Sequence, residues 1–232
     1  MDVVIVGGHG KIARHLGRLL AQRGDTARGI IRNPDHADDL RADGIEPVVA
    51  DLEAEETTGE SLAGAFRGAS AAVFAAGAGP GSGKERKWTV DHGAAVKTVD
   101  ACRHAGIDRI VVVSAMGLDG PPRTDDEVYV EYHKAKAQAD QDVRESGLHY
   151  TIVRPGMLTD EDGHGRIHAA RQVDRGPIPR ADVAATLLAV LDDPSTVHCT
   201  FEVVGGPDEI AAAIATVSSK DGVRETGAAD AE

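Results

Sequence analysis

Short continuous apolar runs alternate along this chain with stretches whose apolar residues recur at helical spacing. Runs at 3–6, 26–31, 46–49, 71–75, 109–113, 149–153 and 199–203 are the strand candidates. Several lack polar alternation, as expected of strands buried on both faces of a parallel sheet. Between the first two, Ile12, Leu16, Leu19 and Leu20 repeat at helical spacing, and Gly24 stands where that helix should stop. A second helix is predicted over 90–104, with Asp91 and His92 capping its start and Gly106 after its end. A third is expected to be capped by Asp182 and to run to Leu191, before Asp193-Pro194. Strand followed by helix, repeated, predicts an α/β fold: a doubly wound parallel sheet in three αβα layers. We expect a single domain over 1–217, with a disordered tail over 218–232. Glycine- and proline-rich interruptions at 77–83 and 117–126 both follow strands, and loops at the carboxyl ends of such strands are where ligands bind.

The first strand runs straight into Gly7-Gly8-His9-Gly10-Lys11-Ile12-Ala13, and a helix follows at once. In that setting glycines allow a tight turn and a close approach to a pyrophosphate, and the helix start offers free N–H groups to the anion. Two registers fit: Gly8-x-Gly10-x-x-Ala13, the usual Rossmann form, and Gly7-x-x-Gly10-x-x-Ala13. The second is preferred because the strand ends at Val6. After the second strand comes Ile31-Arg32-Asn33, with no acid until Asp35. A carboxylate there would accept from the 2′-hydroxyl of NAD, whereas an arginine pairs with a 2′-phosphate. Arg32, assisted by Arg14, therefore points to NADP(H), with NAD(H) the less favoured cofactor.

Tyr132 and Lys136 form Y-x-x-x-K. Residues four apart share a helix face, and an ammonium beside a phenol lowers its pKa from near 10. Tyr132 is then placed to give a proton to a carbonyl oxygen as hydride arrives. Tyr129 is a rival, with His133 four residues on. Trp88 reads as a half-buried helix anchor, and 160–165 as an acidic solvated turn or a substrate lid.

These residues resemble the short-chain dehydrogenase/reductase superfamily, in its atypical NAD(P)H-binding branch with NmrA-like and biliverdin-reductase-B-like proteins. The resemblance rests on the glycine block through Arg14, then Ile31-Arg32-Asn33-Pro34-Asp35, Val49-Ala50-Asp51-Leu52, Ala75-Ala76-Gly77 and Val112-Val113-Ser114. It continues in the run from Ser146 to Gly156 and in Phe201-Glu202-Val203-Val204-Gly205-Gly206. It departs from the commoner pattern at His9, where Thr or Ser is frequent, and at Ala13, where Gly is frequent. The resemblance implies a cofactor site of Gly7, His9, Gly10, Lys11, Ile12, Arg14, Arg32 and Asn33. It further implies Asp51 and Leu52 at the adenine, and Ala75, Ala76 and Gly77 along the middle. Pro155, Gly156, Met157 and Leu158 would lie beside the nicotinamide. Lys136 would hold the ribose hydroxyls, and Ser114 would orient the substrate oxygen with Tyr132. The implied activity is NADP(H)-dependent hydride transfer to a small carbonyl, quinone or flavin-like acceptor. The alternatives are a non-catalytic NAD(P)-binding sensor and a small sugar epimerase or dehydratase.

Composition narrows the remaining classes. Hydrophobic residues make up 41% and aromatics 3%, so the core must rest on aliphatic side chains and alanine. With 38 Asp plus Glu against 25 Lys plus Arg, the net charge of −13 argues against nucleic acid and anionic membranes as partners. No run reaches a membrane-spanning length, and Asp2 sits where a signal peptide would be basic. Cys102 and Cys199 follow no metal or redox spacing, and the ten histidines show no metal pattern, so a cytoplasmic, metal-free protein with two core thiols is expected. The partner expected is a small-molecule substrate, and the chain a monomer or small homo-oligomer. Only about 80 residues follow the sixth strand, too few for the large substrate domain of extended epimerases.

Overall fold

The computed structural model describes residues 1–79 and 81–219, and the elements below are those among the described residues. β1 (Asp2–Val6) turns into α1 (Lys11–Gln22), followed by β2 (Thr26–Ile31), α2 (Ala37–Ala42), β3 (Ile45–Val49), α3 (Gly59–Phe66) and β4 (Ala71–Phe74). One helical turn, α4 (Lys84–Arg86), runs into a π-helical segment at Lys87–Gly93 and then α5 (Ala94–Ala105). The second half comprises β5 (Arg109–Val113), α6 (Glu127–Arg144), β6 (His149–Pro155), β7 (Met157–Thr159), β8 (Arg166–Ala170) and β9 (Pro177–Pro179). It closes with α7 (Arg180–Asp192), β10 (Cys199–Gly205), β11 (Asp208–Glu209) and α8 (Ile210–Ser219).

The main sheet has the order β11-β8-β10-β6-β5-β4-β1-β2-β3. The pairings from β3 through β10 are all parallel, so the seven strands expected from the sequence form its body. β8 and β11 extend one edge in antiparallel pairing, and β7 pairs with β9 apart from the sheet. These four short strands were not expected. Three of them are only two or three residues long, below the length at which periodicity is readable.

The unbroken apolar runs are explained by alternation between two cores. Val3, Ile5, Val73, Val111, Val113, Val153 and Phe201 face α1, α7 and α8 on one side. Val4, Val6, Phe74, Ile110, Val112 and Ile152 face α3, α5 and α6 on the other. A strand with both faces covered leaves little room for polar residues, and Thr151, Arg154, Thr200 and Glu202 in β6 and β10 are themselves buried. The result is a single Rossmann-like domain of three layers.

Local differences from expectation have local causes. Gly106 ends α5 in the left-handed conformation as anticipated, but the helical stretch begins at Lys84, ahead of residue 90. Asp91 and His92 lie inside the π-helical segment and cap nothing. Asp182 is likewise no cap, because α7 starts two residues earlier. Its buried carboxylate accepts from the N–H groups of His164 (2.9 Å) and Gly165 (2.8 Å), and so pins the 160–165 turn to the helix. α8 runs to Ser219, into the stretch expected as a tail; the rest of that stretch lies outside the described residues.

Candidate functional site

The strand order reverses between β1 and β4, and the chain leaves both strands there in glycine-containing turns. Gly7 has φ +81°, and a Cβ at that position would sit 2.7 Å from Ala76 Cα. The Gly10 N–H donates to the Gly7 carbonyl (2.8 Å), and Gly10 caps α1 without a side-chain acceptor. Gly7 is therefore the turn residue, as in the wider register. Gly8 serves packing instead. Its N–H donates to Ile30 O (2.9 Å), and a Cβ on it would lie 2.7 Å from Gly29 Cα.

Two cavities open at this switch point and share Ala75, Ala76 and Gly77. The smaller, about 360 Å³, is lined by Gly7, His9, Gly10, Arg32, Asn33, Asp51 and Leu52, all expected from the sequence. It also takes in His36, Glu53 and Arg86, which were not expected. The larger, about 810 Å³, brings together Ile12, Ser114, Tyr132, Lys136 and Leu158 with Tyr129, Lys87 and Asp91.

Five expected residues line neither cavity. Lys11 is exposed and pairs with Asp160, which Arg180 also holds at 2.6 Å. Arg14 is tied to Asp43 and Asp39 along α1, so it does not assist Arg32. Met157 is exposed. Gly156 is packed so that a Cβ would meet Gly176 O at 2.3 Å, and Pro155 is buried in β6. His9 stacks on His36 with ring centroids 3.6 Å apart, and its Nε2 lies 2.8 Å from Asp39 Oδ2.

The larger cavity is rich in buried charge. Lys136, 5% exposed, donates to Val113 O (3.3 Å) and lies 3.6 Å from Asp91 Oδ1. Asp91, 1% exposed, also accepts from the Ala78 N–H (3.3 Å). Lys87 donates to Gly79 O (3.0 Å) and Ser82 Oγ (2.7 Å), and its ammonium stands 5.5 Å from the centre of the Tyr132 ring. Lys87 and Asp91 both come from the π-helical segment, a wide turn that recurs at functional sites. Ser114 Oγ is buried beside Asp140 and makes no well-formed hydrogen bond among the described residues. Asp140 is held in turn by Arg154 (2.9 Å), whose other arm reaches Asp119 (2.8 Å).

The Tyr132 phenol differs from expectation. Burial first, and the Asp91 carboxylate second, push its pKa well above the usual tyrosine range. The Lys136 ammonium lies 3.6 Å from the same Asp91 carboxylate, and the lowering expected from it does not outweigh burial. The rival Tyr129 accepts from Arg123 (2.6 Å) at the rim. Trp88 is exposed rather than half-buried, and its indole N–H donates to Glu131 on α6 (2.8 Å).

Residues 7–194 match the model of a family described as NAD(P)H-binding. The chain belongs to that family. It is 36% identical to the Bacillus subtilis (strain 168) protein named as an uncharacterized sugar epimerase, YhfK, over 92% of this chain and 99% of that one. A solved structure from Bacillus halodurans, named provisionally as an NAD-dependent epimerase/dehydratase, superposes with a TM-score of 0.86. It is 34% identical and covers 94% of this chain and all (100%) of that one. The wide-type short-chain dehydrogenase/reductase of Veillonella parvula DSM 2008, solved with NADP, shares the fold. Its TM-score is 0.70 at 18% identity, covering 97% of this chain and 96% of that one.

The residues present fit such a dinucleotide. The glycine turn keeps side chains away from the start of α1, the two cavities share Ala75, Ala76 and Gly77, and the guanidinium groups of Arg32 and Arg86 line the smaller one. Among the described residues no helix is long and apolar enough to cross a membrane. No group of three or more His, Cys, Asp or Glu stands ready to hold a metal there either.

Proposed function

We propose that this protein is an NAD(P)H-dependent reductase. Its acceptor is a small carbonyl, quinone or flavin-like molecule seated in the larger cavity, and NADP(H) is its preferred cofactor. The observation that carries the reading is the convergence of Tyr132, Lys136 and the Ser114 hydroxyl on one cavity that shares Ala75, Ala76 and Gly77 with the smaller one. A nicotinamide cofactor held along Ala75, Ala76 and Gly77, which both cavities share, would supply the hydride. The chain's own residues do the rest. Ser114 Oγ lines the same cavity and would orient the acceptor oxygen by exchanging its contact with Asp140 for one to that oxygen. Tyr132, whose raised pKa keeps its proton at neutral pH, delivers that proton as negative charge develops. Lys136, fixed by Asp91 and Val113 O, keeps positive charge beneath the site.

A protonated phenol favours the reducing direction. Alcohol oxidation or epimerisation, the activity in the name of the Bacillus subtilis relative, begins by removing a proton, which a phenol of raised pKa does poorly. NADP(H) is supported by two guanidinium groups, Arg32 and Arg86, which share the single carboxylate of Glu53.

The test is Tyr132→Phe, titrated calorimetrically with NADPH and assayed against quinones, aldehydes and flavins. Cofactor affinity should hold within about twofold, while carbonyl turnover falls about 10²- to 10⁴-fold. Unchanged carbonyl turnover would remove Tyr132 from the chemistry. Flavin reduction surviving alone would identify an acceptor that needs no proton from the phenol. Binding without turnover of any acceptor by the wild type would favour a sensor. Rate against pH should show no alkaline loss from Tyr132 up to about pH 10, since its phenol titrates above its ordinary value.

A further inference from the structure

The smaller cavity contains an anion of its own. Glu53 Oε2 accepts from Arg32 Nη1 (2.6 Å) and Arg86 Nη2 (2.7 Å), so two guanidinium groups from distant segments converge on one oxygen. Oε1 accepts from Thr89 Oγ1 (2.9 Å) and Arg86 Nε (3.1 Å). The Glu53 N–H donates to Asp51 Oδ1 (3.0 Å), which fixes the local backbone. Arg86, Thr89 and Arg32 together hold this carboxylate below the usual glutamate range, so it is charged at neutral pH.

We infer that Glu53 sets the cofactor preference of the site, its carboxylate occupying the position between Arg32 and Arg86 that a 2′-phosphate would take. This rests on the dinucleotide reading above. A phosphate entering there must displace the carboxylate from both guanidinium groups or repel it, because acceptor faces acceptor and charge faces like charge. A 2′-hydroxyl has no such conflict: it donates to Glu53 and leaves both ion pairs standing. Arg32 alone therefore overstates the preference for NADP(H). The Glu53 carboxylate draws the site back toward NAD(H), and the balance is struck between one acid and two bases.

The experiment is Glu53→Gln, which keeps the shape and removes the charge, with Glu53→Ala as a second variant. NADPH, NADH, 2′,5′-ADP and 5′-ADP are titrated calorimetrically against each, and thermal unfolding reports folding. NADPH and 2′,5′-ADP should bind about tenfold more tightly to both variants, while NADH and 5′-ADP bind equally or less well. An NADPH-to-NADH ratio that stays within about twofold of wild type, or moves toward NADH, overturns the assignment. Failure of all four probes to bind wild type and variants alike overturns the dinucleotide reading itself. If Glu53→Gln does not fold, Glu53→Ala carries the same expectation.

Discussion

At the smaller cavity Arg32 and Arg86 keep 57% and 40% of their side-chain surface in water. At the larger one Lys136 and Asp91 keep 6% and 2%. The same chemistry, cation beside carboxylate, therefore has opposite consequences at the two ends of one groove. An exposed pair is screened and exchangeable, worth about 0–1 kcal/mol, so an arriving ligand can break it cheaply. A buried pair cannot be broken one partner at a time without stranding a charge in a poor solvent. The recognition end is built to be rearranged, and the reacting end to stay put.

The largest effect that would break this contrast lies in the buried network. Arg154→Leu takes from the fully buried Asp140 the guanidinium that hydrogen-bonds it, with Arg144 the remaining nearby cation, and chemical denaturation should show a loss of about 3–5 kcal/mol. A loss below about 1 kcal/mol would mean that the reacting end is no more rigid than the recognition end.

Gly8→Ala comes next. The added methyl would press on the Gly29 backbone and force the turn away from β2, at a cost of about 1–3 kcal/mol and with weaker binding of either cofactor. Wild-type stability in that variant would show the turn to be as adaptable as the ion pairs beside it.

Arg32→Ala should change stability by no more than about 0.5 kcal/mol, as an exposed pair implies. Its NADPH affinity should still fall about tenfold, with NADH unaffected. Parallel titrations check both halves of that statement, and an equal loss for the two cofactors would take the 2′ position away from Arg32.

The smallest effect is at Cys102. Burial pushes its thiol pKa up to about 12, so alkylating reagents at neutral pH should leave it unmodified in the native protein. Rapid modification would reveal opening of the α5 side of the core, beneath the reacting cavity.

Much of the recognition end was readable before folding because its parts are chain neighbours. Gly7 to Gly10 are consecutive, and a turn that must pass close to Ala76 can be built only from such residues. Ala75 to Gly77 follow directly from a strand whose apolar run marks its end. Tyr132 and Lys136 share a helix face by spacing alone, and the helix places both on the larger cavity. Glu53 is not legible from sequence because the acid that faces the 2′ position is expected near the end of the second strand, whereas this one comes from beyond the third, 21 residues after Arg32. Asp91 was misread as a cap because a π-helical turn has no periodicity to announce it, and that wider turn carries the carboxylate inward to Lys136, 45 positions along the chain.

The succession of strands and helices along the chain, the two-sided burial of the sheet, the glycine turn and the helix carrying the tyrosine and lysine were determined by the sequence alone. Each depends on periodicity or on residues adjacent in the chain. Which ion pairs are buried, how far the Tyr132 proton is retained, and whose carboxylate stands between two arginines were decided only by tertiary structure. These depend on distance and solvent exclusion between segments far apart in the chain, and no local pattern encodes either.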